Sequence, residues 1–152
     1  MKNGFKSETT GGKLLLLAAA AIFVLAVAGA VGGMADPGVS AATREERAAL
    51  LEGLGHEPDA DAETEKTVRL PKEFPAVLEN YEELQRSQGF SLKKYAGKEI
   101  RIFTCPLTEG GQKNVYSALY VYKGRVVGAD IHSVAFEGYM RPIFPVENNE
   151  NG

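Results

Sequence analysis

VYSALYVYKGRVVGADIHSV, residues 115–134, is two runs of β-branched and aromatic residues separated by Lys123-Gly124. That composition favours strands, and a two-residue interruption ending in Gly favours a tight hairpin. The reading is therefore strand 115–122, turn, strand 125–134. Residues 98–105 have the same character and are set apart by the turn-forming stretch from Pro106 to Asn114. The three runs together predict an antiparallel meander. The short turn sets Tyr122 opposite Arg125, which in an unbroken ladder puts Ser117 opposite Asp130 and Val115 opposite His132.

Working toward the N-terminus, residues 66–70 read as a strand stopped by Pro71, and residues 75–88 as a helix opened by Pro75 and closed by Gly89. On that helix Val77, Tyr81, Leu84 and Gln88 share one face with Leu78 beside them. Glu79, Glu82, Glu83 and Arg86 occupy the other, which reads as the solvent side. Phe90 is placed to fold back on Leu84. Thr43-Arg-Glu-Glu46 is a capping box at the head of a second helix over 44–54. The order α-β-α-β-β-β predicts an α+β domain with both helices packed on one face of a roughly four-stranded, mainly antiparallel sheet.

Residues 14–31 are 18 residues without a charge, and with Gly32 to Ala35 the run is long enough to cross a hydrocarbon core of roughly 30 Å. A cleavable signal peptide ending near Ala28-Gly29-Ala30 is the competing reading, but the run exceeds the usual signal core. Lys2, Lys6 and Lys13 precede it, against Arg44 and Arg47 in the stretch that follows, which places the N-terminus in the cytoplasm and the remainder outside. The expected organisation is a cytoplasmic tail over 1–13, an anchor over 14–35 and a linker over 36–42. An extracytoplasmic domain over 43–141 and a C-terminal tail over 142–152 complete it.

From residue 36 onward the chain has 14 Lys+Arg and 19 Asp+Glu, net −5, with no run of basic residues. Nucleic acid is excluded as a partner on that ground, and anionic lipid surfaces are disfavoured. Cys105 is the single cysteine, so no internal disulfide forms and the domain relies on an apolar core. Next to Pro106, Cys105 reads as a small buried hydrophobe.

The catalytic candidates are Ser117, Asp130 and His132, which the unbroken hairpin register gathers on one sheet face. In a triad, however, the imidazole stands between hydroxyl and carboxylate, whereas this register sets Asp130 nearest Ser117. No nucleophile elbow accompanies them. The alternating carboxylates Glu57, Asp59, Asp61, Glu63 and Glu65 fail the calcium-loop spacing and read as a solvated acidic linker. His56, His132 and Cys105 lack metal-ligand spacing, and no cofactor motif is present. Tyr116, Tyr120 and Tyr122 alternate onto one face, either as a recognition surface or beneath a helix.

The blocks LPKEF (70–74), YEELQ (81–85), GFSLKKYAG (89–97) and VYKGRVVGADIHSV (121–134) together resemble the DUF4830 family of uncharacterised bacterial membrane-anchored proteins. The likeness runs from about Arg44 to Met140. It departs from the family pattern at Ala129, where the family favours Gly, and at His132, where Cys is frequent. The resemblance implies a location and an architecture, and no activity, ligand or partner. The resulting expectation is a non-enzymatic extracytoplasmic binding or scaffold module with a protein or envelope partner. The alternative is a cell-envelope hydrolase using the Ser/Asp/His cluster. A small-molecule sensor is disfavoured by the 13-residue N-terminal tail.

Overall fold

The computed structural model describes residues 38–108, 111 and 114–146. The expected cytoplasmic tail, the anchor, the first two residues of the linker and the end of the C-terminal tail lie outside the described residues. Among the described residues no helix is long and apolar enough to cross a membrane.

The elements are α1 (Arg44–Gly53), β1 (Thr64–Arg69), α2 (Ala76–Arg86), β2 (Glu99–Pro106), β3 (Val115–Tyr122), β4 (Arg125–Ser133) and β5 (Met140–Arg141). The sheet runs β1-β2-β3-β4-β5 with every neighbouring pair antiparallel. The α+β class and the element order are as the sequence predicts, with a fifth strand added. At two residues β5 is too short to show alternation.

The two helices lie on opposite faces of the sheet, which corrects the expectation of a single covered face. Leu50 and Leu51 of α1 are buried with Phe103, Cys105, Leu119, Val121, Ala129 and Ile131. Tyr81 of α2 packs with Ile100, Val127, Tyr120 and Tyr122. Leu119 and Tyr120 are consecutive, so strand alternation puts the two clusters on opposite sides. β2, β3 and β4 therefore carry apolar residues on both faces, and both faces need a cover. Burying a leucine fully contributes about 1.5–3 kcal/mol, so Leu50 and Leu51 make α1 a strong one.

The capping box forms as expected: Glu46 N–H donates to Thr43 Oγ1 at 3.2 Å, and Thr43 N–H donates to Glu46 Oε2 at 3.2 Å. Beneath α1, Arg47 donates to both Glu63 oxygens, at 2.8 and 2.5 Å, and lies 3.5 Å over the Phe103 ring. Pro75 precedes the first helical residue of α2 rather than occupying it. The core also reaches past the expected domain limits, taking in Val39 and Ala41 before them and Ile143 and Phe144 after. Phe90 stacks edge-on with Phe144 at 5.2 Å, so its anchor is the C-terminal segment.

On α2 the division of faces differs from the apolar pattern. Glu82 and Gln85 are buried at 1% and 0% exposure while Val77 is 72% exposed, and Gln88, just past the helix, is buried at 1% on the face predicted for it. Backbone hydrogen bonding explains the inversion. Ala129 in β4 turns one N–H and one C=O away from β3, beyond the reach of the short β5. Gln85 Oε1 accepts that N–H at 2.8 Å, and the Nε2 atoms of Gln85 and Gln88 each donate to the carbonyl at 2.9 Å. Gln88 Oε1 also accepts the N–H groups of Ile143 and Phe144, at 2.8 and 3.0 Å. Glu82 accepts from Ser91 Oγ and Leu92 N–H, at 2.5 and 2.8 Å, which caps the 3-10 turn Leu92–Tyr95. Gly128 permits the approach, since a Cβ there would stand 2.9 Å from Leu92 Cδ2 and 3.1 Å from Gln85 Oε1.

Candidate functional site

The hairpin begins as predicted, with Tyr122 opposite Arg125, but the ladder slips between Tyr120 and Val121. Val121 pairs with Val126 and Tyr120 with Gly128, so Val127 is an extra residue, a β-bulge. Beyond it every pairing is displaced by one. Ala118 faces Asp130, Ser117 faces Ile131 and Tyr116 faces His132. A one-residue shift moves a side chain to the other face of the sheet. Ser117 is thus separated from its predicted companions: it is fully buried on the α1 side, where its hydroxyl donates to the Cys105 carbonyl at 3.4 Å.

Asp130 and His132 do come together. His132 Nδ1 lies 2.7 Å from Asp130 Oδ1, with the aspartate side chain 2% exposed and the histidine 24%. A carboxylate only accepts, so Nδ1 carries the hydrogen, and Nε2 of the neutral ring is the acceptor. Tyr116 stacks on the imidazole with centroids 5.9 Å apart and planes at 20°. The second aspartate oxygen is engaged as well, since the Tyr81 hydroxyl donates to Oδ2 at 2.5 Å.

Tyr81 also meets Tyr120, with ring centroids 5.7 Å apart. Burial, followed by the neighbouring Tyr120 and Asp130, holds the Tyr81 phenol well above the ordinary tyrosine range. Burial pushes the Tyr120 phenol up to about 12, with Asp130 adding to the shift and a hydrogen bond to Tyr81 opposing it. Both phenols are therefore neutral donors at physiological pH.

The resulting group is an Asp–His pair braced by a tyrosine, with Nε2 as its one proton-accepting position. It can accept a hydrogen bond or a proton, but Ser117 lies across the sheet from it. Cys105 is no substitute nucleophile. It is buried on the α1 face, and burial, with Glu63 and Asp59 adding their charges, raises its thiol to about 11. Among the described residues no three metal-binding side chains come together.

Beside this group is an apolar groove of about 490 Å³, lined by Val77, Leu78, Asn80, Tyr81 and Leu84 of α2 with Tyr120 of β3 and Met140 of β5. Met140 is paired with His132 in the ladder, so the groove ends next to the imidazole. Tyr81 and Met140 escape a reading of the sequence alone. Tyr81 carries only a helical periodicity, and its acceptor lies 49 residues away. No protein-family model, no curated protein and no solved structure matches the chain.

Proposed function

We propose that this chain is a non-enzymatic extracytoplasmic binding module of the DUF4830 type, tethered by residues 14–35, whose groove receives an extended apolar segment of a partner protein in the cell envelope. The groove is the observation that carries this reading. Its rim leaves large apolar side chains in water, with Val77 72% and Met140 50% exposed, and the adjoining loop adds Phe136 at 98% and Tyr139 at 42%. Apolar side chains gathered in this way are characteristic of a surface that is covered in use. The chemistry of the lining favours a peptide: Asn80 supplies the polar contact a backbone needs, while β5 ends after two residues beside the groove. A segment paired along the outer side of β5 would lay alternate side chains into it. The alternative, a hydrolase using Ser117, Asp130 and His132, is disfavoured because the bulge separates the serine from the histidine.

The test is a photo-cross-linking residue placed at Val77 or Met140 in the full chain in its native membrane, with Glu52 on α1 as the control. One discrete protein adduct from the first two positions, lost in Leu84→Asp, is expected. Adducts to lipid only, or equal yield at Glu52, would overturn the reading.

A further inference from the structure

The chain enters the fold at one pole of the sheet. Arg125 Nη1 donates to the Gly38 carbonyl, Val126 N–H donates to Val39 O at 2.9 Å, and Ala41 N–H donates to Gly124 O at 2.8 Å. The antiparallel register brings the end of β1, the start of β2 and the β3–β4 turn to this same pole. Leu70 N–H donates to Lys98 O at 2.9 Å, and Lys72 lies against Gly97, where a Cβ would be 3.3 Å from its Cγ. Tyr95 packs on Tyr122 at 5.2 Å, and Lys123 Nζ lies 5.4 Å from the Tyr122 ring centre.

Lys72, Lys98, Lys123 and Arg125 are all exposed there, drawn from separate stretches of sequence. Of the nearby carboxylates, Glu99 is engaged by Arg69 at 3.8 Å and Glu79 by Lys93 at 2.6 Å. Glu46 is occupied by the cap of α1, while Glu45 in the same turn and Glu73 beside Lys72 stand exposed. The opposite pole is acidic. Thr108 N–H donates to Glu57 O and Asp59 N–H to Pro106 O, both at 2.9 Å, which fixes the Glu57, Asp59 and Asp61 loop there, and Glu137 follows β4 at that end. A net charge of −5 thus conceals a polarised domain, because folding gathers cations that no sequence run contains.

We infer that the basic pole rests on the phosphate headgroups of an anionic phospholipid bilayer, the same membrane that residues 14–31 enter. This rests on the tethered reading proposed above. Residues 32–37 are the only chain between the apolar run and Gly38, and six residues reach at most about 20 Å. The pole is consequently held within that distance of the headgroups. Tyr95 and Tyr122, half-buried at the pole, are the residue type favoured at such an interface. The nine residues of β4 span about 30 Å, so an upright domain presents Phe136, Tyr139 and the Met140 end of the groove away from the bilayer.

The test uses the full chain in vesicles of phosphatidylcholine with or without phosphatidylglycerol, carrying a headgroup quencher. A dye is attached through Ala42→Cys at the basic pole or through Thr108→Cys at the acidic one. Quenching at position 42 is expected only with phosphatidylglycerol, and salt should relieve it. Lys72→Glu, Lys98→Glu and Lys123→Glu combined should lower the docked-to-free ratio on the order of a hundredfold or more. Position 108 should remain unquenched. A chain that fails to float with either vesicle removes the tether and the docking together. A chain that floats, but is quenched equally without phosphatidylglycerol or equally in the triple variant, overturns the docking alone.

Discussion

The first and fourth strands of the sheet settle their outward-facing backbone by opposite means. β1 faces water along its length, with five of its six residues exposed, and its neighbourhood is charged: Glu65 is bonded to Arg101 across the ladder and Arg69 to Glu99. β4 has no exposed edge. Val39 and Ser40 cover its start, the amides of Gln85 and Gln88 its middle, and β5 its end. An exposed edge leaves its backbone to solvent and repels other strands with charge, whereas a covered edge must bond every N–H and C=O internally. The difference should be visible in stability, because a buried backbone group left unbonded costs about 1–3 kcal/mol and a solvated one costs little.

Gln88→Ala should have the largest effect. It leaves the N–H groups of Ile143 and Phe144 without their acceptor and removes one donor from Ala129 O. A loss on the order of 2–4 kcal/mol is expected, as two buried donors are affected. Hydrogen exchange should show 143–144 opening first. Unchanged urea midpoints would mean that the glutamine is dispensable to that edge.

Asp130→Ala follows. It leaves the Tyr81 hydroxyl and His132 Nδ1 without their acceptor in a site where the aspartate is 2% exposed. The expected cost is about 1–3 kcal/mol, against about 0.5–1.5 kcal/mol for His132→Ala, which removes only one bond to a ring partly in water. If both variants keep wild-type stability while each loses the function of the native protein, the pair is chemical and the binding reading fails.

These effects fall where the sequence is least legible. β3 was readable to its last residue and the capping box to its individual bonds, because both are local patterns. The position of Ser117 depends on Val127 being one residue too many, and in that run of apolar residues nothing marks the surplus one. The inward turn of Glu82 and Gln85 was equally hidden, whereas Gln88 falls on the face read as the apolar one. Helical periodicity sorts side chains by polarity, but these three face inward to bond buried backbone: that of Ala129 and the C-terminal segment for the glutamines, and that of Leu92 for the glutamate. The basic pole is assembled from distant stretches and has no sequence signal at all.

Alkaline titration gives a smaller, graded effect. The folded Tyr120 phenol ionises near 12 and the Tyr81 phenol higher than ordinary tyrosine, whereas both ionise near 10 once unfolded. Between those values the unfolded chain has released protons that the folded chain still binds. Stability is therefore complete below about pH 10 and declines as pH rises toward 12. Absorbance at the tyrosinate band, compared with Tyr120→Phe, should show that phenol ionising late and together with loss of the fold. Ionisation of Tyr120 in the intact fold at an ordinary tyrosine pH would show that the ring is wet.

The smallest effect is expected at β1, where Arg101→Ala removes a bonded pair with Glu65 whose side chains are 49% and 43% exposed. Exposed pairs contribute little, because water and salt screen the attraction and two long side chains lose freedom to make it. The Glu65 carboxyl is held below its usual range chiefly by the Arg101 hydrogen bond, and that support should vanish with the arginine. The melting temperature should nevertheless hardly move at neutral pH. What the pair supplies is protection of an open edge, so the sensitive measurement is self-association. Sedimentation of Arg101→Ala with Lys66→Thr, which leaves the six-residue strand with fewer charges, should reveal association that the parent lacks. If the double variant stays as dispersed as the parent, charge is not what guards β1, and the two edges differ only in their burial.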